Sequence, residues 1–234
     1  MTYAGITPDA LFLLSQNKFE DSKEFYEAHK AEIKALVFTP MAQLMEALAD
    51  DFTRLDPQML LLPSRMISRI RRDTRYTKDK HMYRDNVWMT FMRQKGDWPV
   101  LQPLMWFEIK PGEGVWTAGV CAWDQPPAYM RFLRSRIAQG SEEFLAAADA
   151  AIAAGAAPQT EPYKKDRAPD APERLKPYLN AKNFCFVHTS TALGLIENEG
   201  IIACLRALYA GCQPMYRWLL AAMEEYAAKN SVSA

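Results

Sequence analysis

Residues 64–84 read S-R-M-I-S-R-I-R-R-D-T-R-Y-T-K-D-K-H-M-Y-R. They hold eight cationic side chains, Arg65, Arg69, Arg71, Arg72, Arg75, Lys78, Lys80 and Arg84, against two carboxylates, Asp73 and Asp79. The stretch is therefore strongly basic in a chain whose formal net charge is zero. The planar fork of arginine pairs bidentately with carboxylate and phosphate, so the chemistry this pattern suits is recognition of an anion. The contacting groups would be Arg69, Arg71, Arg72, Arg75, Lys78, Lys80 and Arg84. Asp73 and Asp79 would orient the arginines, and Tyr76 and Tyr83 would supply hydroxyls.

Three readings of the stretch compete. It is the site of a small phosphate- or carboxylate-bearing ligand, in a binding domain or an enzyme. It is a nucleic-acid contact surface, because Arg and Lys interleaved with Tyr76, His81 and Tyr83 suit backbone contact and base stacking. Or it is an ion-pair network that pins a loop in a non-catalytic interaction domain. No nucleophile paired with a base is visible in the sequence, so no reaction follows from it.

Two further residues are secondary candidates. His29 falls one helical turn after Phe25, where it is either a satisfied half-buried side chain or a ligand. Glu108 interrupts an apolar strand and would share a face with Leu104 and Trp106. If buried it needs a cation, which the basic stretch could supply, and it is then a structural partner or a catalytic carboxylate. His29, His81 and His188 form no metal-binding spacing, and no cofactor motif is present, neither a dinucleotide-binding glycine pattern nor a phosphate-binding loop. No metal or cofactor is expected.

Composition narrows the class. At 234 residues the chain suits a single domain, 1–234. No apolar run reaches the length of a membrane span, and the first residues lack the basic-then-apolar pattern of a signal peptide. A cytoplasmic protein with no membrane partner is expected. Cys121, Cys185, Cys204 and Cys212 contain no C-x-x-C pair and read as small buried hydrophobes.

The elements that must position the basic stretch follow from periodicity. Thr7-Pro8-Asp9 caps a short helix with Leu11 and Leu14, or Phe12 and Ser15, facing inward. Asp21-Ser22-Lys23-Glu24 starts a second helix in capping-box spacing. Thr39-Pro40 starts a third, with Met41, Leu44, Met45, Leu48 and Phe52 on one face. Residues 64–71 have partial strand character, with Met66, Ser68 and Ile70 sharing a face, and a structured loop begins at Arg72. Strands follow at 86–92, 104–110, 115–121 and 184–188, with a turn at 111–114. Pro126-Pro127 and Ser141 open two helices. Residues 156–177, rich in Pro, Asp, Lys and Arg, read as a long mobile loop. The C-terminal part is helical, interrupted and restarted at Pro214. Helices, then strands, then helices indicate an α+β fold, an antiparallel sheet of about four to six strands packed by N-terminal and C-terminal helices.

The run from Arg69 to Arg84 resembles the signature of the DUF2461 family, a family of unknown function, whose form is roughly R-I-x-R-D-x-R-F-S-x-D-K-x-x-Y-K. Arg69, Ile70, Arg72, Asp73, Arg75, Asp79, Lys80 and Tyr83 match it, while Tyr76, Thr77 and Arg84 are conservative departures. The segment carrying Asn17, Phe25, Tyr26, His29 and Lys30 is similar to the family's N-terminal pattern. The strand pair around Pro111-Gly112 also resembles the family, although this chain keeps fewer glycines there. The L-x-x-K-x-F shape at 179–184 resembles the segment after the family's lysine- and proline-rich loop and adds Lys182 as a site candidate. The resemblance carries no activity.

Overall fold

The computed structural model describes residues 2–94, 102–122 and 124–231. Helices α1 (Pro8–Glu20), α2 (Lys23–Ile33), α3 (Thr39–Leu55) and the single turn α4 (Pro63–Met66) come first. Strands β1 (Val87–Phe91), β2 (Leu104–Lys110) and β3 (Val115–Cys121) follow, then α5 (Pro127–Gln139), α6 (Ser141–Ala153), β4 (Ala157–Pro162), α7 (Lys176–Leu179), β5 (Ala181–Ser190) and α8 (Gly200–Ser231). The strands form one antiparallel sheet in the order β1-β2-β3-β5-β4, and the fold is α+β. Packing divides the chain into two compact units. One comprises Met1–Phe91, Trp106–Ala118 and Thr189–Arg206; the other comprises Met92–Met105, Gly119–His188 and Ala207–Ala234.

The first unit contains the basic stretch. Thr7 caps α1, its Oγ1 accepting from the Ala10 N–H at 3.4 Å, with Pro8 at the first helical position. The buried face of α1 is Ala10, Leu13, Leu14 and Asn17, so Leu14 faces inward as expected while Leu11 and Ser15 are half-buried and Phe12 and Phe19 exposed. The cap of α2 is Ser22, whose side chain accepts from Phe25 N–H at 3.1 Å. Asp21 does not open α2. It closes α1 in the left-handed conformation (φ 41°), which Asp tolerates better than most residues.

Thr39-Pro40 does not begin a separate helix. One π-helical turn, Lys34–Phe38, joins α2 to α3, and Thr39 N–H bonds back to the Lys34 carbonyl. Pro40 lacks an N–H and its ring would strike the carbonyl four residues back, and the wider turn relieves both problems. Met41, Leu44, Met45, Leu48 and Phe52 are all buried as the helical period requires. Phe52 stacks on Phe91 of β1, ring centroids 3.8 Å apart, and so ties α3 to the sheet.

Strand β1 alternates as read, with Val87, Met89 and Phe91 buried and Trp88 and Thr90 half-buried. In β2 the outward face is Leu104, Trp106, Glu108 and Lys110. Residues 64–66 are helical rather than extended, because Pro63 starts a turn at a position where its missing N–H costs nothing. Extension begins at Ile67, which bridges Met89 and runs along β1 at the end of the sheet. An edge strand otherwise presents unpaired N–H and C=O groups, and this segment covers part of them.

In the second unit, the start of the segment read as a loop is the strand β4, paired antiparallel with β5 from Ala157↔Val187 to Pro162↔Ala181. It lies at the sheet edge and is largely exposed. Pro158 and Pro162 are tolerated there, since an edge strand need not donate on both sides. Strand β5 is longer than the expected 184–188. Pro214 lies inside α8 and does not divide it. Cys212, Met215, Tyr216 and Leu219 are buried on both sides of it. Burying large side chains at roughly 1.5–3 kcal/mol each outweighs a proline cost of about 3 kcal/mol.

Candidate anion-binding site

The basic stretch folds as an irregular hairpin. Arg71 bridges Tyr83. Arg72 N–H donates to Met82 O at 2.8 Å and Arg84 N–H donates to Ile70 O at 3.1 Å. Its base is anchored from two directions. The Tyr83 N–H donates to Asp21 Oδ1 at 3.0 Å, and the buried Tyr83 ring stacks on Tyr26 of α2 at 5.0 Å. On the strand side, Ser68 N–H donates to Trp88 O at 2.8 Å, and Trp88 N–H donates to Ser68 Oγ at 3.0 Å.

Beyond the base the loop satisfies its own charges. Arg75 grips Asp73 through Nε and a terminal nitrogen at 2.7–3.2 Å, and the Arg75 N–H donates to the same carboxylate. Asp79 pairs with Arg72, accepts from His81 N–H at 3.1 Å and lies 2.6 Å from His81 Nδ1. Lys80 Nζ donates to Thr74 O at 2.9 Å. Thr77 Oγ1 donates to the Asp79 carbonyl at 2.7 Å. The Arg75 partner holds the Asp73 carboxyl below the usual range, and Arg72 followed by His81 does the same for Asp79. Both carboxylates are thus fixed in the ionised form and are poor candidates for proton transfer near neutrality. Tyr76 is 88 % exposed, with Arg75 lying 5.5 Å from its ring centroid.

The remaining cations surround a cleft of about 500 Å³ lined by Ser68, Arg69, Arg71, Arg72, Asp73, Arg75, Arg84 and Trp88. Arg84 is the group that the loop does not satisfy. It is half-buried, its guanidinium lies 4.5 Å from the Trp88 ring centroid, and its buried Nε has no hydrogen-bond partner among the described residues. Burial, then the positive charge of Arg72, pushes its pKa down, while Glu108 opposes them. Arg69 and Arg71 are exposed and form no ion pair among the described residues.

The structure therefore gathers Arg69, Arg71, Arg72, Asp73, Arg75 and Arg84 on one cleft. Tyr76, Lys78, Asp79, Lys80 and Tyr83 do not line it. Among the described residues Glu108 forms no direct ion pair with the basic stretch. Asn86 Nδ2 donates to it at 2.6 Å, and Lys110 Nζ stands 3.9 Å away. His29 Nδ1 donates to the Phe25 carbonyl at 2.9 Å, and its ring stacks on the Phe25 ring at 4.0 Å. Lys182 pairs with Glu161 across β5 and β4 at 2.7 Å. Sequence reasoning gave no site role to Trp88, Ser68 or Asp21. The signal for Trp88 was its place on the outward face of β1 next to an arginine-rich run. Asp21 had no such signal, because its link to Tyr83 spans 62 residues.

A family model described as a conserved hypothetical protein, DUF2461, matches residues 9–218. The chain belongs to the DUF2461 family. No curated protein and no solved structure matches it. The matched span of this DUF2461 chain includes the whole hairpin and every residue of the cleft. Among the described residues, no helix is long and apolar enough to cross a membrane, and no group of three or more His, Cys, Asp or Glu is placed to hold a metal ion.

Proposed function

We propose that this DUF2461 protein binds a small phosphate- or carboxylate-bearing ligand in the cleft between the arginine hairpin and β1. The observation that carries the reading is Arg84, a half-buried guanidinium with a buried, unpartnered Nε, backed by Trp88 and crowded by Arg72. A buried cation without a partner is costly, and an incoming anion removes that cost. Arg69 and Arg71 stand ready to add exposed charge. Hydrogen bonds to an ionised partner contribute roughly 1.5–3 kcal/mol each, so two or three supply roughly 3–9 kcal/mol against an association cost of about 4 kcal/mol or more, which places recognition of a bare small anion in about the millimolar range.

The chemistry on offer is charge recognition. The cleft presents arginine side chains, and its Asp73 carboxyl is held below the usual carboxylate range by Arg75. A reaction here would draw on electrostatic stabilisation of a developing anion.

The pairing of Arg72 with Asp79 and of Arg75 with Asp73 favours a structural role for the outer part of the same stretch. The two roles divide between residues: the loop's internal pairs hold its shape, and Arg69, Arg71 and Arg84 face the ligand. The test is a thermal-shift panel of inorganic phosphate, alkyl phosphates, dicarboxylates and short DNA and RNA on the wild type and Arg84→Gln. A small anion that raises the melting temperature of the wild type and not of the variant supports the reading. A response confined to nucleic acid, with steep salt dependence, overturns it, as does no response at all.

A further inference from the structure

The cleft does not end at the arginines. A second hollow, about 330 Å³, shares Ser68, Arg69 and Arg71 with it and continues past Ile67 to Phe38, Ala42 and Pro63. A third, about 540 Å³, shares Phe38, Ala42 and Pro63 with the second and continues to Met45, Ala49 and Leu61. Hollows that share lining residues are neighbours, and the row of them on the first unit runs from a cationic end to a mainly apolar one. The exposed Lys34 and Glu46 also line the third hollow.

The sequence explains the shape. Phe38, Ala42, Met45 and Ala49 recur at helical spacing and lie on one side of the helix, and the two alanines leave a trough that larger residues would fill. The opposite wall comes from the turn at Pro63, which the chain must make before it can run along β1. From Ala42 to Ala49 the trough extends about 10 Å along the helix axis.

We infer that the ligand is an amphiphilic small molecule. Its anionic head lies against Arg69, Arg71 and Arg84, and its aliphatic or aromatic tail runs between Ala42 and Pro63 toward Ala49 and Leu61. The inference rests on the anion-binding reading above and names the class of ligand. Charge complementarity fixes the direction, because the apolar hollows adjoin the cationic cleft through Arg69 and Arg71.

The experiment is calorimetric titration with inorganic, methyl, butyl and octyl phosphate, and with the matching carboxylates, each below its self-association concentration. Proteins are the wild type, Arg84→Gln and Ala42→Phe, with melting temperatures recorded for all. Each methylene that enters the groove should tighten binding by up to about fourfold. Affinity should therefore climb steeply from methyl to octyl in at least one head-group series. Ala42→Phe should abolish that climb and leave the methyl compound bound as before, while Arg84→Gln weakens every member. Methyl phosphate or acetate bound with no gain from chain length overturns the amphiphile and leaves the anion reading standing. An octyl gain that Ala42→Phe does not change also overturns it. Failure of both series at every length overturns the two readings together. If Ala42→Phe does not fold, Ala49→Leu, at the far end of the trough, serves the same comparison with the octyl compound.

Discussion

The Arg84 guanidinium lies over the Trp88 ring at 4.5 Å, and its buried Nε finds no acceptor among the described residues. Cation–π stacking offsets part of the cost of burying a charge, at about 0.5–2 kcal/mol. It does not replace a hydrogen bond. Stability alone gives no reason for a cation at this position, which is the premise of the proposed binding role.

Arg84→Met should accordingly leave the unliganded protein as stable as the wild type or raise its melting temperature by a few degrees. Removal of an unpaired half-buried charge contributes about 1 kcal/mol, and such a change shifts a chain of this size by roughly 2–4 °C. Thermal denaturation followed by circular dichroism checks this. A fall of more than about 4 °C would make Arg84 part of the framework.

Asp79 behaves oppositely, because its carboxylate is held by Arg72 and His81. Its pKa is depressed in the folded state, so its contribution is present above the unfolded value of about 4 and is lost as pH falls through the lower folded value. The difference in melting temperature between the wild type and Asp79→Asn should be present at about pH 5 and shrink as the pH falls below about 4. Melting curves from about pH 5 downward decide it. A difference that does not shrink there contradicts the assigned pairing.

Asp21→Ala removes the acceptor of the Tyr83 N–H and puts alanine at a positive φ. An unsatisfied backbone donor costs about 1–3 kcal/mol and the left-handed conformation about 1 more. The melting temperature should drop by several degrees, and Asp21→Asn should recover most of it. Hydrogen exchange at Tyr83 should quicken in the alanine variant and remain slow in the asparagine one.

Gly211 is a close-approach position in the second unit. A Cβ there would stand 2.2 Å from the Ala154 Cβ and 2.9 Å from the Ala150 carbonyl. Gly211→Ala should destabilise by about 1–3 kcal/mol through overpacking, even though alanine favours a helix interior by about 1 kcal/mol. Urea denaturation measures the balance. A stabilised variant would mean that α6 and α8 can separate without cost.

How much of this was legible in the sequence depends on the range of the interaction. The α3 core stripe, the alternation of β1, the apolar strand β2 and the Thr7 cap are local patterns, and all were visible. Strand β4 was not, because A-P-Q-T-E-P has neither apolar alternation nor freedom from proline. Only its pairing with β5 makes it a strand. The π turn before Pro40 and the unbroken helix through Pro214 are cases where tertiary burial overrode a local breaker. At the candidate site, charge density marked the segment whose arginines line the cleft. The division of its cations between internal pairs and an open cleft was not readable, since Asp73 and Asp79 could have paired with any of eight neighbours. The place of Trp88 beneath Arg84 follows from the register of Ile67 against Met89, a long-range fact.

The most direct test follows the arginine Nε–H resonances of isotope-labelled protein by NMR while octyl phosphate, or the carboxylate that binds best, is titrated in. The account predicts that the Arg84 Nε–H signal, assigned by its absence in Arg84→Gln, moves furthest and becomes protected from solvent exchange, while the Asp73-bound Arg75 Nε–H barely shifts. Saturable binding that leaves the Arg84 signal in place, or that moves Arg75 instead, would contradict it.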